Sequence, residues 1–151
     1  MNTFKPILIA EDSPNDIELM LEALETYNLA NRVVVVHDGV ETMEYLRCEG
    51  KYANRLPGNP IVLLLDMKMP KIDGLQVLRQ IRDDPAFKLL PVVMLTSSRQ
   101  EKDLVMSYEY GVKAYVVKPV EFAEFLEAVK SIGMFWAILN ELPDEKETTN
   151  G

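Results

Sequence analysis

The stretch "PIVLLLDMKMP" (60–70) runs through five apolar residues, Ile61–Leu65, and stops on a carboxylate, Asp66. An unbroken apolar run of this length, rather than an alternating one, fits a strand covered on both faces, as in a parallel sheet. A charge at the tip of such a strand costs free energy unless something compensates it. The rest of the chain must supply that compensation.

Working outward, four more short apolar runs recur: "PILIA" (6–10), "RVVVVH" (32–37), "PVVMLT" (91–96) and "AYVVK" (114–118). Between them the apolar residues have helical spacing. Ile17, Leu21, Leu24 and Tyr27–Leu29 mark a first helix, and Val40, Met43 and Tyr45–Leu46 a second. Leu75, Leu78 and Ile81 mark a third, and Leu104–Val105 with Tyr108 a fourth. Ser13-Pro14 and Asp73 stand where helix N-caps belong, and Gly111 where a helix should stop. Strand and helix alternating in this way predict a doubly wound α/β domain with right-handed crossovers. "GKYANRLPGNP" (50–60) reads as a long polar loop, and "PDEKETTNG" (143–151) as a disordered tail after a domain spanning 1–142.

Composition narrows the function classes. With 151 residues, 48% apolar and 26% charged, the chain has the balance of one globular domain. A net charge of −8 and the lack of any basic run argue against nucleic-acid binding. The N-terminal apolar stretch is too short for a signal peptide, and nothing approaches a membrane span. The single cysteine, Cys48, fits a reducing cytoplasm and reads as a small buried group on a helix.

In an open parallel sheet, ligands bind beyond the carboxyl ends of the strands. Strand one ends in Glu11 and Asp12, strand three in Asp66, strand four in Thr96 and Ser97, strand five in Lys118 before Pro119; His37 and Asp38 lie to one side. Three carboxylates gathered on one edge raise one another's pKa. A hard divalent cation such as Mg²⁺ resolves the repulsion and suits phosphate chemistry, and Lys118 adds a positive charge. The first turn, "AEDSPN", lacks the glycines of a nucleotide fingerprint. A carboxylate held in this way can act as a nucleophile toward phosphorus, with Lys118 and Thr96 meeting the transferred oxygens. Taken singly, each acid reads as a helix cap, Thr96 as a β-former and Lys118 as a surface charge; their joint placement reverses those readings. His37 reads as a polar strand end, and Met67, Met69, Met94 and Met106 as packing groups.

These motifs, "ILIAEDS", "LLLDMKMPKIDG", "VVMLTS" and "GVKAYVVKPV", resemble the receiver domain of two-component response regulators over residues 5–132. The resemblance implies a flavodoxin-like fold, strand order 2-1-3-4-5, with five flanking helices. It implies that Asp66 accepts a phosphoryl group from a phosphohistidine of a sensor histidine kinase. Glu11, Asp12, Asp66 and the backbone carbonyl of Lys68 would hold Mg²⁺, while Thr96 and Lys118 would contact the acyl phosphate. Tyr115 would be the aromatic switch that turns inward when Thr96 moves, and Lys118–Pro119 a cis bond. Lys68 and Ser98 occupy positions that tune phosphoryl lifetime in the family. "EDSPNDIELMLEAL", "VVVVHDGVETMEYLRCEGKYAN" and "GMFWAILNELP" are similar to single-domain regulators that partner bacterial phytochromes, which implies a light-signalling role.

Over 121–142, Phe122, Leu126, Val129, Ile132, Trp136 and Leu139 form one apolar stripe, and Phe135, Ile138 and Leu142 a second. One stripe packs on the sheet. The second favours a homodimer through the fourth and fifth helices, the alternative being that it folds back on the domain itself. Two other functions compete. An aspartate-nucleophile phosphatase carries a second Asp two residues after the first, but Lys68 stands there. A receiver-like module that binds without phosphorylation would usually have lost an acid, the threonine or the lysine, and all are present. The expected output is binding rather than catalytic turnover.

Overall fold

The apolar runs do become strands. The computed structural model describes residues 5–26, 28–97 and 109–131. Strands β1 (Ile7–Ala10), β2 (Val33–Val36), β3 (Val62–Asp66), β4 (Val92–Thr96) and β5 (Ala114–Val117) form one parallel sheet in the order β2-β1-β3-β4-β5. The three central strands are buried throughout, whereas β2 and β5 at the edges are partly open. Burial on both faces is why β1, β3 and β4 are apolar up to their last residues, where β3 ends on Asp66 and β4 on Thr96.

Side chains alternate across the sheet. Ile7, Ile9, Val62, Leu64, Val93 and Leu95 pack with Met20, Ala23 and Leu24 of helix α1 (Pro14–Glu25) and Phe125 of the C-terminal helix (Phe122–Ser131). Leu8, Ala10, Leu63, Leu65, Val92 and Met94 pack with helices α2 (Gly39–Arg47) and α3 (Gly74–Asp83). The expected stripes need two corrections. On α1 the buried face centres on Met20, Ala23 and Leu24, with Ile17 and Leu21 half-buried. On the C-terminal helix Phe125 is the fully buried ring and Phe122 is exposed, so the sheet-facing stripe is rotated from the one read from the sequence. The fourth predicted helix (Leu104–Tyr108), Ser98, Met106, the dimer residues Phe135, Trp136, Ile138 and Leu142, and the tail lie outside the described residues.

Helix starts follow their capping residues. Ser13 caps α1 with Pro14 at its first position, Asp38 caps α2, and Asp73 with Gln76 forms a reciprocal capping box on α3. Cys48 is not inside a helix: it ends α2 with φ 56° and is half-buried. The 50–60 loop is also more ordered than its polarity suggested. It opens with a 3-10 turn at Gly50–Tyr52, and Arg55 stacks 4.1 Å over the Tyr45 ring while donating to the Tyr45 carbonyl. At the foot of the sheet the Arg82 guanidinium donates to the carbonyls of Phe87, Lys88, Leu90, Tyr110 and Gly111. No described helix is long and apolar enough to cross a membrane.

Glu41 joins α2 to this loop. Its carboxylate accepts from the His37 amide at 2.9 Å and the Tyr52 hydroxyl at 2.7 Å, and pairs with Lys51 at 2.7 Å. Burial acts to raise its pKa, but the bonds from Lys51, Tyr52 and His37 outweigh that and hold the carboxyl at about 2 instead of 4.5. An acid held low when folded stabilises the fold fully above its ordinary pKa and loses that contribution as pH falls toward the folded value. Glu41→Gln should therefore melt several degrees below the native chain at neutral pH, with the gap narrowing between pH 4.5 and 2. A gap that stays constant across acid melting curves would contradict this.

Candidate functional site

Strands β1, β3 and β5 each hand their ladder on by one residue at the carboxyl end. The Glu11 amide bonds the Val36 carbonyl at 3.0 Å, the Met67 amide the Leu95 carbonyl at 2.8 Å, and the Lys118 amide the Thr96 carbonyl at 2.7 Å. Residues that follow the strands are thereby held as firmly as residues within them. Glu11, Asp12 and Asp66 come together at this rim, each offering a carboxylate oxygen within 4.8 Å of the others.

Lys118 meets them from the β5 side. Its Nζ lies 3.0 Å from Glu11 Oε2, 3.2 Å from Asp66 Oδ2 and 3.4 Å from Asp16 Oδ2. The Lys118–Pro119 peptide is cis. Burial would lower the pKa of the ammonium, but its pairing with Glu11 and Asp66 outweighs this and raises it. Asp66 is 2% exposed, and its other oxygen accepts the Lys68 amide at 3.2 Å.

Glu11 is fully buried. Its Oε2 accepts from the Asp12 and Ser13 amides, each at 3.0 Å, as well as from Lys118. Its Oε1 is buried with no hydrogen-bond partner. Burial pushes the Glu11 carboxyl up; the Ser13 amide opposes that and neighbouring Asp66 adds to it, leaving the pKa at about 7. One ammonium thus serves several carboxylates, and a buried acid oxygen stays unsatisfied. A hard divalent cation would supply both the missing partner and the missing charge, so these residues fit a metal site of all-oxygen donors.

The other expected residues are placed less uniformly. Thr96 ends β4 at the rim, 1% exposed, and its hydroxyl donates to Met67 Sδ at 3.6 Å. Tyr115 lies on β5 beside Met94 and is 37% exposed. Lys68 is exposed in the turn after β3, and His37 is exposed outside the cluster. Met69 and Met94 are buried packing groups as expected, while Met67 packs and also receives the Thr96 hydroxyl.

Sequence reasoning missed three contributors. Asp16, which reads as a helix-dipole acid, is 6% exposed and faces Lys118. Gly39 and Gly74 clamp the turn after Asp66 from both sides. A Cβ on Gly39 would strike the Ile72 backbone, and one on Gly74 would come within 2.7 Å of Met67 Cα and nearer still to the Asp66 carbonyl oxygen. "DG" at 73–74 reads only as a helix start; the close approach shows itself only once the helix is packed.

The family comparison agrees with this geometry. The model of the "Response regulator receiver domain" matches residues 7–130. The chain is 37% identical over 142 residues to the response regulator Rcp1 of Synechocystis sp., covering 94% of this chain and 95% of that one. A Mn²⁺-bound structure of Rcp1 superposes with a TM-score of 0.74, covering 87% of this chain and 94% of that one. The bacteriophytochrome response regulator RtBRR is 54% identical, with a TM-score of 0.82 over 93% of this chain and 85% of that one. The phosphorylated cyanobacterial phytochrome response regulator RcpA is 41% identical, with a TM-score of 0.75 over 89% and 95%. A doubly wound sheet with acids and a lysine at its carboxyl rim, matched along nearly all its described length, places this chain in the response regulator receiver domain family.

Proposed function

We propose that Asp66 is the phosphoacceptor of a two-component relay and takes its phosphoryl group from a phosphohistidine of a sensor kinase. The observation that carries this reading is the approach of Lys118 Nζ to Asp66 Oδ2, 3.2 Å, beside the carboxylates of Glu11 and Asp12. An Asp66 oxygen attacks phosphorus and forms the O–P bond of an acyl phosphate. The P–N bond to imidazole breaks with its electron pair going to nitrogen, which is protonated. Water later attacks the same phosphorus, the O–P bond breaks, and the carboxylate and inorganic phosphate are released.

Lys118 neutralises charge that develops on the transferred oxygens, from a position fixed by its backbone bond to β4. Glu11, Asp12, Asp66 and the Lys68 carbonyl would hold Mg²⁺, which when bound supplies charge neutralisation at the phosphoryl oxygens. The Mn²⁺-bound form of Rcp1 supports a divalent ion of that class. Thr96 would exchange its weak bond to the Met67 sulfur for a phosphoryl oxygen, and Tyr115 would fold inward behind it. Phosphorylation then shifts the balance of two conformers, and the output is altered binding to a partner.

The kinase is a phytochrome, a reading supported by similarity to RtBRR and RcpA. Dimerisation through Phe135, Trp136, Ile138 and Leu142 rests on the sequence pattern. In the test, the chain is incubated with a small acyl phosphate and Mg²⁺, and the product is mapped by peptide mass spectrometry. One hydroxylamine-labile phosphoryl group on the peptide holding Asp66 is expected. A stable label, or one on another peptide, would sink the assignment.

A further inference from the structure

Asp16 stands in the first turn of α1 and is 6% exposed, so its carboxylate is out of water and must be paired. Both of its oxygens are engaged. Oδ1 accepts the Val120 amide at 3.0 Å, and Oδ2 lies 3.4 Å from Lys118 Nζ. It therefore grips the β5 outlet on both sides of Pro119, by the ammonium before it and the amide after it.

The three partners of the Lys118 ammonium are not equivalent. Glu11 and Asp66 belong to the trio that can hold a metal ion, and Asp66 is the residue read as carrying the phosphoryl group. Asp16 belongs to neither group. When Glu11 and Asp66 turn to a cation and a phosphoryl group, the Asp16 carboxylate is the one still available to Lys118. Without it the ammonium would be held only by its flexible four-carbon stem.

We propose that Asp16 is a positioning residue that holds the Lys118 ammonium at the rim, aimed at the transferred phosphoryl oxygens, while Glu11 and Asp66 are engaged. The proposal rests on the reading of Asp66 as phosphoacceptor. Asp16 touches none of the reacting atoms and acts through Lys118.

The two variants that separate its roles are Asp16→Asn and Asp16→Ala. Asparagine can still accept the Val120 amide, but it sets an NH₂ group against the ammonium. Alanine loses both contacts. Labelling by a small acyl phosphate at saturating Mg²⁺ should slow by about tenfold in both variants, short of the roughly hundredfold that a 1 Å misplacement can cost. The donor concentration for half-maximal rate should move by less than about twofold. Asp16→Asn should melt close to the native chain, and Asp16→Ala lower. In a Lys118→Ala background, Asp16→Asn should have no further effect on rate.

Asp16→Asn labelled at the native rate, slowed equally with and without Lys118, or too unstable to measure would reduce Asp16 to a structural tie and overturn the proposal. A native chain that takes no label on Asp66 overturns the phosphoacceptor reading and this proposal with it. A labelled native chain beside a normal Asp16→Asn overturns the proposal alone.

Discussion

Asp66→Asn is expected to leave the chain with no hydroxylamine-labile phosphoryl group at donor and Mg²⁺ concentrations that label the native chain fully. The substitution keeps size and shape, so the Lys68 amide can still find an acceptor. It removes the anionic oxygen that would attack phosphorus, and an amide oxygen is a far weaker nucleophile. In the native chain Oδ2 lies 3.2 Å from Lys118 Nζ; an NH₂ group in its place would face the ammonium and push it away. Loss of one carboxylate from the trio with Glu11 and Asp12 should also weaken metal binding by about tenfold or more. The fold should survive, because Glu11 and Asp16 still pair with Lys118. Titration with Mg²⁺, phosphoryl labelling and a melting curve on the same preparation separate these effects. Label retained by the variant would mean that phosphorus goes to another residue.

Gly74→Ala should produce a large loss of stability. In an exposed first helical turn, alanine would ordinarily be the better residue. Here the added carbon would lie 2.7 Å from Met67 Cα and 2.9 Å from the Asp66 carbonyl carbon, and closer to the Asp66 carbonyl oxygen. All three are backbone atoms of the β3 exit, held by the Met67–Leu95 bond and by the Gly74 amide on the Met67 carbonyl at 2.8 Å. None can swing aside as a side chain would. Overpacking of this kind costs about 3 kcal/mol. That is a large share of the 5–15 kcal/mol typical of a domain and corresponds to a fall of roughly 10 °C in Tm. Because the colliding atoms belong to Asp66 and Met67, the labelling rate should fall as well. Gly111→Ala is the comparison. Its Cβ would meet Arg82 Nε at an ordinary 3.5 Å, and only the strain of φ 75° would be felt, about 1 kcal/mol. Equal melting points for the two variants would contradict the packing argument.

Much of the site could be read from the chain because its residues follow the strands directly. Glu11, Asp66, Thr96 and Lys118 sit at or next to the ends of apolar runs, and the topology of a doubly wound sheet carries such positions to one rim. Asp16 escaped because an acid in a first helical turn already has an adequate surface role, and only packing turns it inward. Phe125 was passed over for Phe122 because both fit a helical period, so the sequence left the rotation of the helix open. The Glu41 network was missed because its partners, His37, Lys51 and Tyr52, come from a strand end and a polar loop with no periodicity to align them. Cys48 looked helical because α2 carries no glycine at its end to mark the stop.

The five carbonyls gathered by Arg82 have a consequence for how the domain can open. They come from two separate crossings below the sheet, one leaving α3 and one entering β5. If either crossing peels away, part of the Arg82 guanidinium is left without its acceptors. Both crossings therefore depend on one side chain, and truncating Arg82 would strip five carbonyls of a donor at once.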